Sequence, residues 1–386
     1  MKKVRRKMFE EELNSMIVED FQSMLRPLNL MQNIFFCAKY RIRNNFITKN
    51  SYCYIYLSIL LCLAYISYLA CLIYSFIYLL HFDVLFLSIA LSIFYQFFSC
   101  FLGYLLNIIS NTIHKKNNIL LVLKIQDVYT RLKMNRKDVR HLVIFNWAAV
   151  VTLNVLYIIE KTDFDPEITI YRVINVLFTY TNVLFELNVV YAVFFVKLLR
   201  KVLNIWIEGI KRPRIEDLQS ECHWNSMFKV YSNILEAYEL FQETFRLLII
   251  FYTTYTISYS LMTVSIAVQY YKLYDYDMLS DAFSISPNVQ WLLKNVFFLS
   301  FLCHECEKFY SDLNETLYIN INMPSVEYRS DVQVKMLKNI QRLQRASFKK
   351  MSAYGLFVVD ATLPLQLAGI ISTYTIAQLQ LIIPSF

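Results

Sequence analysis

Five stretches of this chain contain no Asp, Glu, Lys or Arg: Tyr52 to Leu80, Val84 to Ile113, Leu142 to Ile159, Leu247 to Tyr271 and Ala361 to Phe386. Each has about 18 residues or more, enough to cross the hydrocarbon layer of a bilayer as a helix. Two further candidates carry a single charge each, Val173 to Val196 with Glu186 and Asn288 to Cys303 with Lys294. A soluble core can hide one helix that is apolar all round, but seven in succession leave nothing polar to face water. The sequence therefore predicts an all-α membrane protein of seven transmembrane helices. Its charged fraction of 18% agrees, since soluble domains average about 25%.

Lysine and arginine give the orientation. Seven spans sort the connections into two sets on opposite sides. One set, Met1–Ser51, His114–Arg140, Lys197–Arg246 and Lys308–Lys350, holds 34 of the 38 Lys and Arg residues; Lys161, Arg172, Lys272 and Lys294 are the others. Such residues concentrate on the cytosolic side. This places the N-terminus inside and Phe386 outside, the reverse of a G-protein-coupled receptor, whose Asn-Pro-x-x-Tyr pattern is also missing from the last span. The basic residues Met1 to Lys7 are followed by no long apolar stretch before Tyr52, so no cleavable leader is expected. None of the eight cysteines falls in an outside loop, and no disulfide is expected. The sequon Asn314-Glu315-Thr316 lies on the inside, where it would go unused.

Outside loops are short: His81–Asp83, Lys161–Arg172, and the acidic Lys272–Pro287 with Asp275, Asp277 and Asp281. Inside connections are longer and patterned. Val230, Tyr231, Ile234, Tyr238, Phe241 and Phe245 recur at helical spacing, as do Met336, Leu337, Ile340 and Leu343, the latter flanked by Lys338, Arg342, Arg345 and Lys349. These predict cytosolic helical extensions of the later spans that pack together and join subunits. Four regions follow: an N-terminal cytosolic segment (1–51), helices one to six with their loops (52–305), cytosolic anchor helices (306–350), and a seventh helix (351–386).

The last span has a stripe. At 100° per residue, Thr362, Gly369, Thr373, Ala377, Gln380 and Pro384 fall with Gln366 in an arc of about 80°. A lipid-facing helix has no reason to align its small and polar residues. The stripe lets another helix pack closely, or it lines a wetted path where Gln and Thr replace part of an ion's hydration shell. Pro364 removes a backbone donor and predicts a kink or late start there; Asp360 reads as a polar anchor at the helix end.

Thr373-Tyr374, five residues, then Gln380-Leu381 resembles the C-terminal signature of insect gustatory receptors, Thr-Tyr, five mostly apolar residues, Gln-Phe, with Leu381 in place of the usual Phe. Seven spans, an inside N-terminus, a short outside C-terminus and cytosolic extensions are also features of that family. The resemblance implies a ligand-gated cation channel in which four subunits surround a pore, each contributing its last helix. Gln380 would then line the pore beside Ala377, Leu381 would form the apolar constriction, and Thr373 and Tyr374 would hold the helix against its neighbours. It further implies a plasma-membrane receptor of sensory neurons whose partners are a small organic tastant, like subunits in a homotetramer, membrane lipid and permeant cations. Sugar-sensing branches often have Glu after the signature Tyr; here Thr375 stands there, pointing to a non-sugar, bitter-type compound. An odorant-receptor-type subunit is the alternative.

Glu186 and Lys294 are costly inside a membrane; they face a ligand cavity or pair with one another, or Lys294 snorkels outward. The outer halves of the spans carry Tyr74, Tyr78, Asn154, Asn175, Tyr180, Tyr259, Gln269, Trp291 and Asn295, groups suited to stacking on and hydrogen-bonding a small molecule. The candidate ligand residues are Tyr180, Glu186, Tyr259, Trp291 and Asn295. With 29 Tyr and 30 Phe in the chain, other aromatics read as packing and interface anchors. Cys303-His304-Glu305-Cys306 has half the spacing of a zinc site with no second half. No Gly-rich phosphate loop or nucleophile elbow occurs; no enzyme activity, cofactor or metal is expected, and the basic charge, accounted for by topology, implies no nucleic acid. Four glycines and no internal repeat disfavour a transporter built from broken helices.

Overall fold

The computed structural model describes residues 16–79, 84–161, 170–213, 220–273, 282–322 and 331–382. Of the three outside loops, His81–Asp83 and the central parts of Lys161–Arg172 and Lys272–Pro287, residues 162–169 and 274–281, lie outside these residues, as do the last four, while Ile170–Arg172 and Ala282–Pro287 are helical. Eleven helices and one small hairpin are described: α1 Glu19–Ile34, β1 Arg41–Arg43, β2 Phe46–Thr48, α2 Tyr52–Leu79, α3 Val84–Ile113, α4 Lys115–Leu132, α5 Arg136–Lys161, α6 Ile170–Thr179, α7 Asn182–Lys211, α8 Glu221–Leu273, α9 Ala282–Asn322, α10 Asp331–Ser347 and α11 Leu363–Ile382.

The seven spans are α2, α3, α5, the α6–α7 pair, α8, α9 and α11. Five of them are long and apolar enough to cross a membrane by composition alone: Tyr52–Ser75, Ala90–Ile113, Arg136–Ile159, Val176–Lys211 and Glu221–Ile266. The stretch of α7 is the hub, with 94% of its most apolar window buried, against 28%, 33% and 22% for α2, α3 and α5. Those three instead turn Leu60, Leu63, Ile66, Leu91, Val151, Val155 and Ile158 outward. An apolar surface of this extent needs lipid around it. Lys294 and the amides Asn288, Gln290 and Asn295 lower the hydropathy of α9.

At 53 and 41 residues, α8 and α9 run for roughly 80 and 60 Å, well beyond a hydrocarbon core of about 30 Å. Their distal halves form the expected bundle with α10. Met336, Leu337 and Ile340 are buried, Leu343 half-buried, and Lys338, Arg342, Arg345 and Lys349 exposed. Polar pairing fixes the register of this bundle. Gln344 accepts from Tyr231 Oη at 2.8 Å and Thr316 Oγ1 at 2.7 Å, and donates to the Leu313 carbonyl at 2.8 Å. Arg200 reaches Glu305 at 3.4 Å and Asp312 at 3.0 Å.

Three features go beyond the sequence reading. Segment 1–51 contains an amphipathic helix, α1, whose Phe21, Met24, Leu25, Leu28 and Met31 are buried against α5 and α7. Asn146 of α5 donates to the Met24 carbonyl at 2.7 Å. The fold is also not wholly helical, because β1 and β2 pair antiparallel across Asn44-Asn45, both with positive φ (51° and 63°). Two such residues make the tight hairpin turn that matches strand twist. Finally, the fourth span is broken at Tyr180-Thr181. Tyr65 of α2 donates to the Phe178 carbonyl at 2.7 Å and Tyr157 of α5 to the Val176 carbonyl at 2.6 Å. The Val176 carbonyl also keeps the Tyr180 N–H at 2.9 Å and that of Phe178 accepts the Thr181 N–H at 3.3 Å, so the two tyrosines add second hydrogen bonds that tie the break to α2 and α5.

Candidate functional site

Two groups of side chains stand out, one among the central spans and one on the outward face of the last helix. The first is built on α7, α8 and α9. Its centre is the ion pair Lys294 Nζ–Glu186 Oε1 at 2.7 Å, with side chains only 9% and 3% exposed. Of the alternatives the sequence left for these two charges, direct pairing is the one observed. Glu186 sits just past the helix break on α7, and one turn of α9 presents Lys294 beside Trp291 and Asn295. Tyr252 of α8 donates to Asn295 Oδ1 at 2.6 Å, and Asn295 Nδ2 returns to the Trp291 carbonyl at 2.7 Å. Above this polar core lies an aromatic layer. The Tyr259 and Trp291 ring centroids are 4.2 Å apart, Tyr255 meets Trp291 edge-on at 5.4 Å, and Phe185 and Phe251 continue the layer at 5.1 Å. Of the five candidates, Glu186, Tyr259, Trp291 and Asn295 are thus brought together.

Tyr180 is elsewhere, at the break of the fourth span. Its hydroxyl donates to Asn154 Oδ1 at 2.6 Å, and its ring meets Tyr157 at 5.0 Å and Phe35 at 5.1 Å. Tyr74 is 75% exposed on α2. The side chains of Tyr78, Asn175 and Gln269 lie outside the described residues. Sequence reasoning missed Tyr252, Tyr255 and Phe185, which look like ordinary core aromatics. It also missed Gly103, where an added Cβ would collide with the rings of Phe185 and Phe251; an isolated glycine in a span is the signal that marks such close approach.

The second group is α11. The helix packs on α8 and α9 along one side only: Leu363 and Leu367 are buried and Ile371, Tyr374, Thr375 and Gln378 half-buried. The stripe predicted from the sequence, Gln366, Gly369, Thr373, Ala377 and Gln380, is exposed and lies roughly 130° around the helix from that buried side at 100° per residue. Nothing in the chain approaches Gly369 within 4 Å of where a Cβ would be. Close packing of the stripe against another helix of the same chain is therefore excluded for the described residues. Of the signature pair, Tyr374 turns toward α8 and α9, whereas Thr373 stays on the stripe. Leu381 is in the helix, and its side chain lies outside the described residues.

Asp360 precedes α11 and receives the Thr362 backbone N–H at 2.9 Å and its hydroxyl at 2.6 Å, with Lys350 Nζ 3.6 Å away. Burial opposes its ionisation, but these hydrogen bonds and the Lys350 charge hold its carboxyl below the usual range. This is the polar anchor expected there, tying the start of the last helix to the basic bundle. In the Cys-His-Glu-Cys run, Cys303, Glu305 and Cys306 are buried while His304 is exposed on the other side of α9. Among the described residues no group of three metal-ligating side chains occurs.

The aromatic–ionic cluster and the last helix share their supports. Tyr252, Tyr255 and Tyr259 are on α8, Trp291, Lys294 and Asn295 on α9, and α11 lies against both helices.

A search of curated protein sequences found no match. Among solved structures, this chain is similar to the insect olfactory receptor OR5 from Machilis hrabei in complex with eugenol, with a TM-score of 0.52 at 14% identity over 93% of this chain and all of that one. At that identity the likeness speaks for the fold, and it is the seven-helix fold of that receptor. The sequence profile of the 7tm chemosensory receptor family matches residues 32–382. The chain belongs to the 7tm chemosensory receptor family, membrane receptors rather than enzymes.

Proposed function

We propose that this chain is a gustatory receptor, a tastant-gated nonselective cation channel assembled as a homotetramer in the plasma membrane of sensory neurons, with its N-terminus cytosolic. The observation that carries the reading is the exposed stripe of α11, a row of amide, hydroxyl and small side chains that the chain's own helices leave uncovered. Four copies arranged around an axis would turn Gln366, Thr373, Ala377 and Gln380 into a wetted lining. In lipid, by contrast, each amide would lack partners. Gln380 lines the conduit and Leu381 narrows it.

The ligand is a small organic compound of the non-sugar type, as Thr375 suggests. It enters the cluster of Glu186, Tyr252, Tyr259, Trp291 and Asn295, stacking on the rings and exchanging hydrogen bonds with the amide and the ion pair, with Tyr180 bordering the path at the helix break. A ligand that binds the spread arrangement of α8 and α9 better than the closed one shifts the equilibrium toward an open pore by that difference in affinity alone. The Lys and Arg distribution supports the orientation.

The test is whole-cell recording from cells expressing this chain alone during a screen of plant-derived bitter compounds. A dose-dependent current with a reversal potential near zero supports the channel. Epitope tags at the two ends, detected without permeabilisation, check the orientation: the reading requires signal from the C-terminal tag alone.

A further inference from the structure

We infer that a crevice on the basic face of the receptor, between the N-terminal hairpin and the adjoining ends of α2 and α3, binds the phosphate of an anionic membrane lipid. The assignment to the inner leaflet rests on the orientation proposed above; the chemistry of the site does not.

The crevice encloses about 70 Å³ and is lined by Lys39, Lys49, Asn50, Asn111, Thr112 and Lys115 together with apolar side chains, and by no Asp or Glu. Lys49 and Lys115 are exposed at its mouth and Lys39 is at its floor, 4% exposed. Among the described residues Lys39 has no carboxylate within ion-pair distance. Its contacts are a long hydrogen bond to Asn111 Oδ1 at 3.5 Å and the face of the Phe245 ring at 4.6 Å. A buried ammonium without an anion is costly, and burial brings this one down to about 7. A bound phosphate would supply the missing counter-charge.

The floor is built rather than incidental. Asn111 donates to the Cys37 carbonyl at 2.7 Å, Ser58 Oγ to that of Phe36 at 2.5 Å and Asn50 to that of Ala38 at 2.5 Å, while Tyr54 Oη accepts from the Ala38 N–H at 2.8 Å.

A lipid, rather than free phosphate, is favoured by what flanks the opening. Tyr52 and Tyr56 on α2 and Ile109 and Ile113 on α3 are 82%, 70%, 38% and 69% exposed, an apolar surface for acyl chains beside a basic pocket, the arrangement that recognises anionic headgroups.

The full-length chain, purified in detergent, would be titrated with dioctanoyl phosphatidylinositol bisphosphate, dioctanoyl phosphatidylcholine and soluble inositol trisphosphate, with adducts counted by native mass spectrometry. The inference predicts one anionic lipid per chain, no phosphatidylcholine at the same concentration, and inositol trisphosphate at least tenfold weaker. The exposed double variant Lys49→Gln/Lys115→Gln, which leaves the fold intact, should bind about twentyfold more weakly, from roughly fivefold per lysine near a membrane surface. Lys39→Met should abolish the adduct, and Lys211→Gln, elsewhere on the basic face, should leave it unchanged. Equal uptake of phosphatidylcholine, or undiminished binding by the double variant, overturns the site. Equal affinity for inositol trisphosphate overturns the lipid and leaves a site for free phosphate. None of these outcomes depends on channel activity or orientation, so a failure here is separable from a failure of the proposed function.

Discussion

Removing one partner of the Glu186–Lys294 pair should do more damage than removing both. The two side chains are 3% and 9% exposed and 2.7 Å apart, so Lys294→Met removes the buried counter-charge of the Glu186 carboxylate, which lies near Tyr252. Breaking a buried pair this way costs about 3–5 kcal/mol, and stranding a charge at the middle of a membrane helix costs about 2.5–3.5 kcal/mol on insertion scales. The two routes agree on about 3 kcal/mol, more than a hundredfold in the folded fraction at about 1.4 kcal/mol per tenfold. The double variant Glu186→Gln/Lys294→Met leaves no charge and keeps side-chain volume; its cost should be near zero, because the pair's attraction is largely offset by desolvation. The assay is the thermal midpoint of detergent-solubilised receptor, followed by size-exclusion fluorescence. Lys294→Met should melt well below both wild type and the double variant. A Lys294→Met protein as stable as the double variant would refute the pairing as a structural necessity, leaving Glu186 solvated or neutral.

Other variants test the remaining geometry. Gly103→Leu drives a side chain into the Phe185 and Phe251 rings, and overpacking of this kind costs about 1–3 kcal/mol or more; surface expression should fall sharply, while Gly369→Leu, with open space around it, should express normally. Tyr65→Phe and Tyr157→Phe each strip a hydrogen bond from a carbonyl at the break in the fourth span and should lower stability by about 1 kcal/mol each, read as a lower melting midpoint. Lys39 gives a pH signature. Its folded value of about 7 is below the unfolded value, so between the two the unfolded chain binds more protons and stability rises with pH. The lipid-free melting midpoint should increase from pH 7 to pH 9, and Lys39→Met should flatten the rise; neighbouring Cys37, whose thiol burial pushes up to about 12, acts with the opposite sign, so an unchanged slope in Lys39→Met would refute the assignment to Lys39.

The legible parts of the fold are those set by local composition. The spans α2, α3 and α5 are visible because uninterrupted apolar runs have one economical outcome in a cell, and α10 because Met336, Leu337, Ile340 and Leu343 share a helix face. The break at Tyr180-Thr181 is not visible: no glycine or proline marks it, and the hydroxyls that bond to the carbonyls beside it come from Tyr65 and Tyr157, distant in sequence. Glu186 and Lys294 are conspicuous as charges, yet only tertiary structure shows that they meet, 108 residues apart. The small and polar stripe of α11 was readable as periodicity. That α8 and α9 cover a different side of the helix, and leave the stripe free of the chain's own helices, was not readable from it. The hairpin at Asn44-Asn45 carried a readable turn signal, two adjacent asparagines suited to positive φ, that composition alone obscures.

Cysteine accessibility along α11 tests the pore most directly. In the tetramer proposed here, Gln380→Cys and Ala377→Cys channels should lose current when a charged, membrane-impermeant thiol reagent is applied from outside during tastant opening, while Leu367→Cys, buried against the neighbouring helices, should be insensitive. Full current in treated Gln380→Cys and Ala377→Cys channels, with labelling of both sites confirmed by mass, would show that the exposed stripe does not line the conduit.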